Sequence, residues 1–202
     1  MTNIAIIGGG FAGIYSLKYC IQEGLNAELY EARNDVGGVW NYTKETKYGA
    51  TFLKNGFASS SVHYLHPTDF PFPENTPIFP HHSIVYKHLL KYIDHFNLNS
   101  HINLNCKITK IWKKKKQWYI KFNNTIKTFS HVIICTGVHQ TPNIPKDHFY
   151  NKFYNQQNII HSCYYEQYRE KLKGKNILIV GGGETTNDSA SELAPSSNIC
   201  IS

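Results

Sequence analysis

The sequence predicts an α/β fold. A doubly wound, Rossmann-type domain with an antiparallel β-meander is followed by the start of a second Rossmann-type domain. Three observations predict the architecture. A short apolar run, Ile4 to Ile7, leads into Gly8, Gly9 and Gly10 and then into a segment of helical spacing. The same order returns late in the chain: Asn176 to Val180, then Gly181, Gly182 and Gly183, then a helix-like stretch to about Leu193. Between the two, residues 108–111, 117–122 and 125–129 read as short strands separated by turns.

Residues 3–7 form a buried strand. Ile14, Leu17 and Ile21 then recur at helical spacing between Phe11 and Glu23. Gly24 follows, and glycine takes the left-handed conformation at which helices stop. Residues 27–31 are the next strand, so the first 31 residues make one strand–helix–strand unit. From about 42 to 80, Ser, Gly, Pro and aromatic residues dominate and periodicity is weak, which predicts long loops with short helical turns. A helix is expected over 83–95, with Ile84, His88, Leu89 and Tyr92 on one face. Residues 102–106 are expected to form a strand ahead of the meander, and 131–135 an apolar strand ending at Thr136 and Gly137. Residues 138–170, with Pro142 and Pro145, read as connecting chain, and 198–202 as a further strand. The expected division is a first domain over 1–140, a connector over 141–170 and a partial second domain over 171–202. A parallel sheet is normally covered on both faces, and the second unit has little to cover it, so the sequence is expected to be a fragment of a longer protein.

The chain has 202 residues, 41% hydrophobic and 17% charged, enough to bury a core. Its net charge is +7, but all of its 21 basic residues except Arg33 and Arg169 are lysine. Nucleic-acid readers cluster basic residues and favour arginine at base edges. Here the one run, Lys113 to Lys116, sits between two strands and reads as a solvated hairpin turn, so no nucleic-acid partner is expected. Five widely spaced cysteines argue for a reducing, cytoplasmic setting without disulfides. His63 with His66, and His81 with His82, invite a metal. No second pair at metal spacing accompanies them, and adjacent strand residues face opposite ways, so no metal is expected. No apolar run reaches the roughly 20 residues of a membrane span, and no basic segment precedes the apolar start. Membrane contact is therefore not evident.

Gly8-x-Gly10-x-x-Gly13 directly follows a strand and opens a helix. Such glycines let the backbone turn tightly and approach a pyrophosphate, which the helix N-terminus attracts. Glu31 lies 21 residues beyond Gly10, where an acid meets a ribose diol. Together these features point to dinucleotide binding. Ala32 to Trp40 then continue with Gly37, Gly38, Val39 and Trp40. From here the sequence resembles the flavin-containing monooxygenase family. The resemblance extends through Asp69-Phe70-Pro71-Phe72-Pro73, Pro80-His81-His82-Ser83, Cys135-Thr136-Gly137, His161-Ser162 with Tyr165, and Gly181-x-Gly183, in the family's order.

The resemblance implies FAD and NADPH as cofactors, O2 as co-substrate, and oxygenation of a small-molecule amine or sulfur nucleophile. It makes residues 1–140 the FAD-binding domain and 171–202 a partial NADP-binding domain. It implies that Gly8, Gly10, Phe11, Ala12, Gly13, Glu31, Gly38, Val39, Trp40 and Thr136 hold FAD. Ser60 and Ser61 would lie near the flavin or nicotinamide, and Gly181 and Gly183 would face the NADPH pyrophosphate. No catalytic side chain is assigned. The sequence departs from the family pattern at Asn155 and Gln157, ahead of His161. It departs also at Ser59, where the family often has Asn, and at Thr186, the last position of the second glycine motif. A β-branched residue at Thr186 is expected to crowd the helix–strand contact. A Baeyer–Villiger monooxygenase is an alternative, although it usually has Trp where Tyr165 stands. A non-catalytic FAD-binding remnant is another. A disulfide reductase is disfavoured because no cysteine pair follows Gly38.

Overall fold

The computed structural model describes residues 2–143 and 158–202. Strand β1 (Asn3–Ile7) and β2 (Asn26–Tyr30) flank helix α1 (Phe11–Gln22), and β1 pairs with β2 in parallel. Helix α2 (His82–His95) precedes the short β3 (Ile102–Asn103). Strands β4 (Ile108–Lys114), β5 (Gln117–Phe122) and β6 (Thr125–Phe129) form the meander, and β7 (His131–Ile134) returns to β1. The parallel sheet has the order β3-β2-β1-β7.

Alternation along the strands divides the core. Ile4, Ile6, Ala27 and Leu29 face the helices, where Ile14 and Leu17 of α1 and Leu89, Tyr92 and Ile93 of α2 complete one cluster. Ala5, Ile7 and Tyr30 face the other way, onto Ile120, Phe122 and Phe129 of the meander. The result is helices, parallel sheet and meander in three layers. Helix α1 ends as expected, with Gly24 at φ +70°.

A second unit follows. Helix α3 (Tyr165–Leu172) leads to β8 (Asn176–Ile179), helix α4 (Glu184–Leu193) and β9 (Asn198–Ile201), which pairs with β8 in parallel. It packs on the first unit through Leu53, which joins Tyr165 and Leu193 in a small apolar cluster. Carboxylates complete the contact. Glu166 accepts the Lys54 amide at 2.6 Å, and Glu192 accepts from Asn55 Nδ2 at 2.7 Å. Pro145, Asn155 and Gln157 lie outside the described residues.

Two local expectations change, and a third keeps its turn but not its bounds. The strand expected over 102–106 is only two residues long, because Asn105 takes φ +57°. Its amide and that of Cys106 still reach the carbonyls of Arg33 and Glu31. His81 and His82 do converge, with ring centroids 4.2 Å apart and both Nε2 atoms on the Lys54 carbonyl. They sit at a helix start, with His81 capping α2, so strand alternation does not apply. The lysine run is a hairpin turn as expected, with Lys115 at φ +54°, although β4 extends to Lys114.

The Asp69-Phe70-Pro71 motif has a structural role. Asp69 pairs with Lys18 of α1, which is 6% exposed and also donates to Gln22 Oε1 at 2.6 Å. Phe70 packs on His88, Tyr92 and Phe96. Replacing Asp69 by Asn leaves a buried ammonium short of a counter-charge. The expected loss is about 1–3 kcal/mol in urea denaturation, reduced from that of a fully buried pair because Asp69 is half-exposed. An unchanged midpoint would mean that the pair is structurally idle.

His88 stacks on Phe72 at 3.7 Å, and its Nε2 faces the Phe70 carbonyl at 3.1 Å. Burial first, and the nearby His66 and Lys91 second, hold its pKa below the ordinary histidine value, against the opposing pull of that carbonyl. The unfolded chain therefore takes up this proton at higher pH than the folded chain. The stability contributed by neutral His88 is present above the unfolded value of about 6.5 and is lost as pH falls below it. Denaturation midpoints are expected to drop from pH 7.5 to pH 5.5, with a shallower slope in His88→Gln; identical slopes would count against His88 as the source.

Candidate functional site: two glycine loops

The first loop is built on contacts that admit no side chain. A Cβ on Gly13 would lie 1.8 Å from the Gly8 carbonyl oxygen, and one on Gly8 would lie 2.4 Å from the Cys135 carbonyl. Gly8 also takes φ +108°. Helix α1 thus starts directly over the end of β1. Its N-cap, Gly10, contributes no side-chain bond, and its first turn holds no acid. The amides of Phe11, Ala12 and Gly13 find no acceptor among the described residues. Free amides and the positive end of the helix dipole are what an anion needs.

Glu31 is buried and holds the loop from below. One carboxylate oxygen accepts the Gly9 amide at 2.5 Å and the other the Arg33 amide at 2.8 Å. Each oxygen keeps a further lone-pair direction for a ribose hydroxyl. The second glycine pair closes over the first. The Gly37 amide donates to the Gly9 carbonyl at 2.8 Å, and a Cβ on Gly10 would stand 3.7 Å from Gly38 Cα. Arg33 secures this turn by donating to the carbonyls of Gly38 and Asn41 at 3.0 and 2.9 Å.

The structure brings the expected residues of the first loop together. Gly8, Gly10, Phe11, Ala12 and Gly13 form the turn and helix start. Gly38, Val39 and Trp40 form the 3-10 turn beside it. Trp40 stacks on Phe52 at 4.4 Å and meets Phe11 edge-on at 6.1 Å. Thr136 follows β7 beside Gly8. Ser61 caps the 3-10 turn Val62–Tyr64, and Val62 packs in one cluster with Phe11 and Trp40. Ser60 is exposed. Gly181 and Gly183 belong to the separate loop between β8 and α4. Its link to this region is Ser59, whose hydroxyl donates to Glu184 at 2.5 Å. Thr186 is accommodated: it is buried, and its hydroxyl donates to the Gly181 carbonyl at 2.9 Å.

Sequence reasoning missed several contributors. A polar cavity of about 310 Å³ lies beyond Glu31, lined by Ala32, Arg33, Asn34, Thr43, Lys47, Tyr48 and Asn105. Residues 43–49 sit in a stretch without periodicity, so nothing local marks them. Arg33 was detectable in principle, as one of only two arginines in a lysine-rich chain. Phe52 carries no such signal.

Fold and site together define a Rossmann-type α/β protein with two glycine loops in one chain. A family model described as flavin-binding monooxygenase-like matches residues 1–202, and the chain belongs to that family. It is 32% identical over 204 residues to flavin-containing monooxygenase 3 of Oryctolagus cuniculus, covering 95% of this chain and 38% of that protein. The chain thus spans well under half the length of the curated relatives it matches. Among solved structures, S-allyl-L-cysteine S-oxygenase from Allium sativum superposes with a TM-score of 0.83 at 19% identity, covering 98% of this chain and 50% of that one. An open crystal structure of cyclohexanone monooxygenase gives 0.70 at 17% identity, covering 100% and 39%. These likenesses bear on the fold.

Gly13→Ala is expected to cost about 1–3 kcal/mol or more, because helix or strand must move, and to abolish FAD retention on gel filtration. Gly137→Ala is the comparison: its φ is +72°, but a Cβ there meets nothing within 4 Å. Only backbone strain of about 1–2 kcal/mol applies, and FAD retention should persist. Equal behaviour of the two variants would contradict the close-approach argument.

Proposed function

We propose that this chain supplies the FAD-binding unit, and the beginning of the NADPH-binding unit, of a flavin-dependent monooxygenase. The reaction class is oxygenation of a soft amine or sulfur nucleophile on a small molecule, with NADPH and O2 consumed. The observation that carries this reading is the first glycine loop: three amides at the start of α1 without an acceptor among the described residues, no acid in that turn, and Glu31 fixed behind them. Family membership supplies the flavin.

The chemistry supplied by bound FAD is hydride acceptance from NADPH and activation of O2. The chain's own residues bind and shield. The amides of Phe11, Ala12 and Gly13 hold the pyrophosphate, and Glu31 accepts from a ribose hydroxyl. The polar cavity beyond Glu31 suits the adenosine end. Trp40 and Phe52 form an apolar wall that excludes water from one side. Ser60 and Ser61 offer hydroxyls as donors or acceptors near the flavin or nicotinamide. Gly181 and Gly183 give the NADPH pyrophosphate its backbone approach.

The first test is the visible spectrum of the purified chain after incubation with FAD and gel filtration. A retained flavin spectrum is expected. No retained flavin at excess FAD would sink the proposal at its base. The second test adds NADPH, isotopically labelled O2 and a tertiary amine or thioether to the longest available form of the protein. Labelled oxygen in the product supports monooxygenation; NADPH consumption that yields only peroxide would count against oxygen transfer, and no NADPH consumption at all would favour the non-catalytic reading.

A further inference from the structure

The two glycine loops differ in charge where their helices begin. Helix α1 begins Phe11-Ala12-Gly13, without charge. Helix α4 begins with Glu184, an acid in its first turn. The second loop is otherwise uncrowded, although its Thr186 amide is already taken by the Gly183 carbonyl at 3.0 Å. Gly181 takes φ +120°, and a Cβ on Gly182 or Gly183 would meet nothing within 4 Å. Glu184 follows Gly183 directly, and its carboxylate reaches across to the other unit and accepts the Ser59 hydroxyl at 2.5 Å.

Further acids follow at four-residue steps, Asp188 and Glu192, on the same helical face. Glu192 is compensated by Arg169 at 3.0 Å and by the Tyr165 hydroxyl at 2.9 Å. Asp188 is not. Burial first, and then the charges of Glu184 and Glu192, hold its pKa above the ordinary aspartate value. The potential along this face is therefore negative.

We propose that Glu184 is a specificity-determining residue that weakens binding of a dinucleotide pyrophosphate at the second glycine loop. The inference rests on the reading of that loop as the NADPH site. A carboxylate at the first position of a helix uses the partial positive charge that otherwise attracts phosphate. It also repels the two phosphate charges that would sit beside it. The bond to Ser59 fixes the carboxylate beside the first turn of the helix.

The test is calorimetric titration of the FAD-loaded chain with NADP+, which binds without turnover. Glu184→Gln keeps the shape and can still accept from Ser59, and it should bind NADP+ about tenfold more tightly at low salt. The gain should shrink as salt screens the charge. Glu184→Asp keeps the charge and should stay close to wild type. Ser59→Ala removes the bond but not the charge, and should gain less than Glu184→Gln. Equal or weaker binding by Glu184→Gln overturns the inference and leaves the NADPH reading intact. A gain from Ser59→Ala as large as that from Glu184→Gln also overturns it, since the bond and not the charge would then decide. Absence of NADP+ binding by every variant overturns both the inference and the reading of the second loop.

Discussion

The close approach of Gly13 to the Gly8 carbonyl governs the rest of this structure. It lets α1 start directly above β1, so the helix end, the turn and the sheet edge share one small space. Glu31 then reaches Gly9 from the neighbouring strand, and Gly37 reaches Gly9 from the next loop. Because one carboxylate bonds both Gly9 and Arg33, the position of the turn and that of the chain leaving β2 are mechanically linked. Arg33 passes the link on to Gly38 and Asn41. A side chain added at Gly13 would therefore disturb residues nearly thirty positions away.

The second constraint is the loop around Lys54. Its carbonyl faces both His81 and His82, and His82 also faces the Trp40 carbonyl at 3.2 Å. Its amide donates to Glu166 of the second unit. The same short segment thus ties the Trp40 turn, the start of α2 and the second unit together. The contact between units is built mainly from carboxylates meeting backbone and amide donors around Leu53, Tyr165 and Leu193. Such a contact is polar and geometrically particular, closer in kind to an adjustable interface than to a shared core.

Much of the first unit was legible in the sequence because its signals are local. Ile4 to Ile7, the three glycines, the spacing of Ile14, Leu17 and Ile21, and Gly24 all act within a few residues of themselves. The glycines carry most of the candidate site for the same reason. The rest depends on partners far along the chain. Phe52 stacks on Trp40 only because the loop returns there. Asn105 shortened β3 because asparagine tolerates the left-handed region, which sequence pattern alone does not demand. His81 and His82 converged because a helix start, and not a strand, fixed their directions. The acids of α4 gave no hydrophobic pattern to read, and their importance emerged only once the Lys54 loop lay against them.

The sheet order has a consequence in time. Strand β1 lies inside the sheet, between β2 and β7, and the Asn3 amide donates to Ser130 Oγ across 127 residues of sequence. During synthesis, β1, α1 and β2 can associate early, but the second edge of β1 has no partner until residue 131 is made. At roughly 5–20 residues per second, that interval lasts on the order of 6–25 s. For that time an apolar strand edge, Ile4 to Ile7, is open to pairing with another nascent chain. The fold therefore places its most demanding moment on the ribosome, before the meander is in place to shield the strand.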